Sequence, residues 1–410
     1  MTPPIDLALA KEDAIRQLAA ELGIGGVNPW GGDYTALFAA ARAAGTPCNP
    51  EFVFRSWHRV PGAVWHSGLP TSARQLPGAT RLGERRIDGI EYSGGPEYAP
   101  PLDMFELPGA TVLSLAGVPV IAAADGLSIV TEVSSDYAPL LHIYDVDAAW
   151  RLAEARPIAG AAFVLMGDIA DGNYSHWLLD ELPRLALIRD RPDATIVLAD
   201  IAVPWRRELL NLLGITERRV VTLRPYEAVR AETLLVPDVA RSTQHPARRG
   251  SPEVLDWLRA RIGVPALAKG DTPAAPKLYI GRSDADRRRL LNEAALLRVL
   301  EPHGFVSILP GRHTVAEQIA LFARASAVVA LHGAAVTNIV FCAPETPVLE
   351  IFTPWHGTHA FGLIAAATGL PYASYVAEPA RMPPDDRHDC VLDVAAFWRT
   401  AEPWLRNART

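Results

Sequence analysis

Cysteine is scarce: Cys48, Cys342 and Cys390 are the only three in 410 residues, odd in number and far apart. That excludes a disulfide framework and a cysteine-rich zinc module, and it fits a reducing, cytoplasmic setting. Long apolar runs are missing too. The most apolar stretch, Thr111 to Ala124, is broken by Gly117 and Pro119 and reads as two strands around a turn rather than a membrane span. Met1 to Lys11 lacks the charged-then-apolar order of a secretory signal, so any membrane association is expected to be peripheral. There is no excess of positive charge. A net charge of −7 gives no global field for nucleic acid, although Arg287, Arg288 and Arg289 form a local basic run. Apolar residues are plentiful: 49% hydrophobic against 21% charged is a globular composition, and the length suits two α/β domains.

Periodicity divides the chain. Ile15, Leu18, Ala19 and Leu22 share a helical face, a second short helix is expected over 34–44, and 51–98 carries little signal. Short β-rich runs follow at 111–116, 118–124, 127–133 and 140–144, so residues 1–150 read as a small N-terminal α+β region of unknown role. From 151 to 265 strand-like and helical runs alternate, with Ser251 and Pro252 marking one helix start as cap and first-turn proline. The segment 267–277, rich in Pro, Ala and Gly, reads as a linker, and a second, more regular alternation occupies 275–380. A last helix lies within 381–410. The fold class is therefore α/β, with two Rossmann-like lobes and a cleft beyond the carboxyl ends of parallel strands.

Several residues in this frame can carry chemistry. His332-Gly333-Ala334-Ala335 sits where the strand-like AVVAL gives way to a helix, and small residues there let backbone N–H groups approach an anion. Arg282 ends another strand and is placed to meet phosphate; the alternative is a surface arginine. Glu350, in the apolar run PVLEIF, points either to ribose hydroxyls in the cleft or to a neighbouring arginine. His176, Asp180 and Arg184 are spaced four apart, behind a cap from Asn173 or Ser175, and Pro183 must disturb their helix. A carboxylate beside an imidazole suits deprotonation of a hydroxyl, while the same spacing also describes a surface ion network. Thr314 and Glu317 have capping-box spacing. Asp145/Asp147 and Asp284/Asp286 form D-x-D triplets that could hold a metal, or cap and pair with arginines; His356 and His359 lack further ligands for a zinc site.

At these residues the chain resembles glycosyltransferase family 61. The resemblance is carried by GNYSHWLLDELPRL, YIGRSDADRRRLLNE, AEQIALFARASAVVALHGAAVTNIVF and PVLEI, in that order, within Ala110 to Tyr375. The family includes bacterial capsule and polysaccharide enzymes, plant xylan-decorating enzymes and animal protein O-GlcNAc transferases. The resemblance implies a GT-B-like pair of lobes and inverting transfer from a nucleotide-sugar donor, UDP-linked, to a glycan or lipid-linked glycan acceptor. It also implies a reaction without a D-x-D metal or other cofactor. Arg282, His332, Gly333, Ala334, Asn338 and Glu350 match donor-site positions, and His176 with Asp180 matches an acceptor-side element, with Asn173 and Arg184 expected to bind substrate and Asp180, or else its neighbour Glu181, as base. A sugar-nucleotide epimerase or a non-catalytic glycan-binding scaffold protein could share such a fold. An epimerase would convert the donor alone.

Overall fold

The computed structural model of the chain is described for residues 53–408, apart from 70–73, 77–79, 86–94, 98–101, 116, 131–132, 135–153, 168–172, 201–202, 217–218, 239–251, 265–274, 355–356 and 383–387. The helices expected before residue 45, the strand at 140–144, Cys48, Asp145, Asp147, Ser251, His356 and most of the linker lie outside the described residues.

The N-terminal strands are β1 (Val53–Arg55), β2 (Val64–Leu69), β3 (Arg74–Leu76), β4 (Thr80–Leu82), β5 (Gly95–Glu97), β6 (Leu102–Pro108), β7 (Thr111–Leu115), β8 (Val118–Ala122) and β9 (Ser128–Val130). Next come β10 (Arg156–Val164), β11 (Thr195–Ala199), β12 (Val220–Leu223) and β13 (Ala228–Pro237), with helices Pro204–Leu212 and Pro252–Ile262 between and after them. The strands β10 to β13 pair in parallel. Their sheet is nevertheless mixed, because the long β13 pairs antiparallel with β7 along its first half and with β6 along its second. The expected turn at Gly117 is a β7–β8 hairpin inside this ten-stranded sheet. Most of the N-terminal strands thus extend the sheet built by 156–237.

The second sheet comprises β14 (Lys277–Ile280), β15 (Phe305–Ile308), β16 (Ala327–Leu331), β17 (Val348–Phe352) and β18 (Tyr372–Val376), with β4 as a sixth strand. Its order is β15-β14-β16-β17-β18-β4, and every pairing is parallel. Side chains alternate between faces as a pleat requires: Leu278, Ile280, Val328 and Ala330 enter one core, Tyr279, Val329, Leu349 and Ile351 another. The chain steps from β14 to β15 on one side, then crosses back to place β16 on the other. That reversal opens a crevice at the carboxyl ends of β14 and β16, where open α/β sheets bind ligands. Thr314 and Glu317 form the expected capping box on helix Val315–Ala323.

Two elements depart from regular helix. Residues Tyr174–Ile188 begin as one α-turn, widen to a π-turn at Trp177–Glu181 and tighten to a 3-10 helix at Leu182–Ile188. Pro183 offers no N–H for an α-helical bond, so the ladder changes register around it. The run after His332 is a 3-10 helix, Ala334–Phe341.

The largest buried cluster is not confined to one sheet. It runs from Phe163, Leu165, Ile196 and Leu198 through Leu178, Leu182 and Ile339 to Leu278, Ile280, Val328 and Val348. The two sheets therefore bury apolar surface against shared helices, a non-directional attraction proportional to the area removed from water.

Candidate active site

The carboxyl edge of the second sheet assembles the first group. Ile280 of β14 is in register with Ala330 of β16, so residues 282 and 332 emerge beside each other past the strand ends. The Arg282 guanidinium lies directly over the Cα of Gly333, where any Cβ would collide with it. Gly333 is extended (φ 169°), so the glycine is there for this close approach and not for a special backbone conformation. Arg288 joins them from the loop after β14, with left-handed backbone (φ 57°). Burial lowers the Arg282 guanidinium below the usual arginine range, with Asp284 opposing and Arg287 adding to the shift. Burial, then Arg282 and Arg287, push Arg288 down to about 10. The Nε atoms of both arginines are buried with no hydrogen-bond partner among the described residues. Crowded, partly desolvated cations beside the start of a helix at Ala334 make an environment that an anion relieves.

His332 is buried beneath this edge. Its Nδ1–H donates to Glu350 Oε1 at 2.5 Å, and its ring stacks on Phe352 with centroids 4.8 Å apart. The hydroxyl of Tyr372 donates to the other carboxylate oxygen. Glu350 is 0% exposed, in mid-strand and on the face of Val348, turned toward the shared core. This corrects the expectation that its carboxylate points into the cleft toward ribose: both oxygens are engaged inside the protein. Glu350 fixes His332, because an ionised carboxylate only accepts and so assigns a proton to Nδ1. Sequence reasoning missed Tyr372. It opens a strand two positions ahead of the residue paired with Glu350, a register invisible without the sheet.

The second group lies on the irregular helix. Asn173 caps it, its Oδ1 accepting from Ser175 N (3.0 Å) and His176 N (3.4 Å). His176 Nδ1–H donates to Asp180 Oδ2 at 2.7 Å across the junction of α- and π-turn. The imidazole is the more exposed partner, 17% against 9%. Glu181, the neighbouring carboxylate, is buried and rests on Gly167, where a Cβ would meet its Oε1 at 2.7 Å. Arg184 is also buried, donating to the Met166 carbonyl at 3.0 Å. The structure thus brings His176 and Asp180 together, gives Asn173 a capping role, and puts Arg184 inside the fold rather than at a ligand surface.

Asn338 likewise leaves the donor group. It is fully buried, accepts from the Tyr174 hydroxyl at 2.7 Å and donates to Gln318 Oε1 at 3.0 Å. Ala334 stays at the turn, half-buried. Among the described residues no three His, Cys, Asp or Glu side chains stand close enough to hold a metal ion, and no helix is long and apolar enough to cross a membrane.

Residues 174–349 match the family model described as Glycosyltransferase 61. The matched segment holds His176, Asp180, Arg184, Arg282, His332, Gly333, Ala334 and Asn338; Asn173 and Glu350 lie one residue beyond its ends. No curated protein matches the chain. The matched segment runs from the broken helix of the first sheet to strand β17 of the second, and its similarity to glycosyltransferase family 61 supports a glycosyltransferase role for the chain.

Proposed function

We propose that this chain moves a sugar, with inversion, from a UDP-linked donor to a hydroxyl of a glycan or lipid-linked glycan in polysaccharide assembly such as that of a capsule. In this reading the two sheets serve as the donor and acceptor halves of a GT-B-like enzyme working in the cytoplasm, at most peripherally on a membrane. The observation that carries it is the meeting of Arg282, Arg288 and Gly333 at the β14/β16 crevice, where partly desolvated guanidinium groups with unbonded Nε atoms border a helix start. The donor diphosphate rests there. As the bond to the sugar breaks, negative charge grows on the diphosphate, and the arginines stabilise it in place. They supply the charge a divalent cation would otherwise provide, so turnover is expected to survive EDTA.

The acceptor proton goes to the His176–Asp180 pair. The family resemblance makes Asp180 the base. The geometry supports the reverse division: Asp180 holds Nδ1–H, and the more exposed imidazole accepts the proton through Nε2, the ring nitrogen turned away from Asp180. Attack on the anomeric carbon from the face opposite the diphosphate gives inversion.

A thermal-stability screen of nucleoside diphosphates and their sugars, with and without EDTA, tests the reading. UDP or a UDP-sugar should raise the melting temperature of the wild type, and the shift should vanish in Arg282→Gln. An equal shift in Arg282→Gln moves the donor elsewhere, and a shift lost on chelation installs a metal.

A further inference from the structure

The two groups of the proposed site are joined by a short polar chain that neither of them uses. Tyr174, two residues before His176, donates to Asn338 Oδ1 at 2.7 Å. Asn338 donates to Gln318 Oε1 at 3.0 Å, and Gln318 Nε2 donates to the His313 carbonyl at 3.1 Å. Asn338 sits on helix Ala334–Phe341, which starts directly behind Gly333. Burial of a side-chain amide is costly unless its groups are bonded, and here both the carbonyl and the amide nitrogen are bonded.

Other ties fasten the same elements. Arg259, from helix Pro252–Ile262, donates to the carbonyls of Val340 and Cys342 at the far end of the Asn338 helix. Glu208, on helix Pro204–Leu212, accepts from Val315 N at 2.7 Å, at the start of the helix that bears Gln318. Together with the shared core, these bonds hold the second sheet's helices on the first sheet's helices, an arrangement unlike a hinge between separately packed lobes.

Resting on the donor and base assignments above, we infer that Tyr174 and Asn338 are positioning residues: a strut that fixes the His176–Asp180 pair relative to the diphosphate turn. Its reach is short. A ligand seated on the 332–334 turn loads the start of helix 334–341; Asn338 lies one turn further along, and Tyr174 carries the load to the α-turn bearing His176. Small displacements of reacting groups cost about 10²-fold in rate, so losing the one spanning bond that reaches the turn bearing His176 is enough to matter even while the other ties persist.

The test uses the full chain with UDP as probe, in wild type, Tyr174→Phe and Asn338→Leu, each first shown to be folded by its melting transition. Hydrogen exchange of amides 174–181 is read with and without UDP, beside the UDP dissociation constant. We expect UDP to slow exchange there in the wild type, and to leave it unchanged in both variants while binding within about threefold of wild-type affinity. Turnover of the best UDP-sugar should fall about 10–100-fold in Tyr174→Phe, with the donor KM within about twofold. Equal protection in wild type and Tyr174→Phe, no protection in the wild type despite UDP binding, or undiminished kcat in Tyr174→Phe overturns the strut. Failure of UDP to bind the wild type overturns the donor assignment, and the strut with it. Asn338→Leu decides between coupling and local loosening: if only Tyr174→Phe loses protection, the strut is overturned.

Discussion

Two glycines at two sheet edges do the same steric work for opposite charges. Past β10, Gly167 lets the carboxylate of Glu181 lie against the backbone; past β16, Gly333 does so for the guanidinium of Arg282. The carboxylate is buried at 2% exposure, whereas the guanidinium is half-buried past its strand end, with Asp284 and the cations Arg287 and Arg288 near it. The first arrangement closes a fold; the second is the one proposed to meet a diphosphate. A glycine after a strand therefore marks close approach of a side chain, and only the environment of that side chain separates packing from binding.

The largest effect on turnover is expected on the first-sheet side. His176→Ala should lower turnover by about 10²–10⁴-fold with UDP affinity unchanged, the usual worth of a general base. Asp180→Ala should fall less far, since an unoriented imidazole still accepts a proton. Steady-state kinetics on both variants decide the order, and the reverse ranking returns the proton to Asp180. Full activity in both would make the broken helix structural.

On the second-sheet side the largest effect falls on stability. Glu350→Ala strips His332 and Tyr372 of a shared buried acceptor and should cost about 3–5 kcal/mol in denaturant unfolding. Loss of UDP affinity with stability intact would instead restore the direct ribose contact. Tyr372→Phe should cost only about 1 kcal/mol, because His332 still holds the carboxylate. A loss as large as that of Glu350→Ala would show that the tyrosine, not the histidine, keeps Glu350 in place.

The regular parts of this fold were legible because their signals are local. Strand β16, the turn at His332 and the capping box at Thr314 follow from an apolar run, small residues and a four-residue pattern. Four-residue spacing also brought His176 to Asp180, although it passes through a π-turn that helical geometry alone would not give. What stayed hidden depends on register and topology. Glu350 looked like a cleft residue because it interrupts an apolar strand, and only the pairing of β17 with β18 supplies Tyr372 to bury it. Asn338 is a donor-site position by family resemblance alone; its partner Tyr174 comes from 164 residues earlier in the chain. The N-terminal strands looked separate because nothing in 102–115 announces that β13 will pair with both β6 and β7.

Gly333→Ala separates a diphosphate crevice at β14/β16 from a merely structural arginine. The added Cβ meets the end of a flexible arginine side chain rather than backbone, so the fold should survive with Arg282 displaced from the crevice. Calorimetric titration with UDP, beside a thermal melt, is the measurement. The melting temperature should stay close to wild type while UDP affinity weakens at least about tenfold, equivalent to some 1.4 kcal/mol. Wild-type UDP affinity in a folded Gly333→Ala protein would contradict it and remove the donor from the β14/β16 crevice.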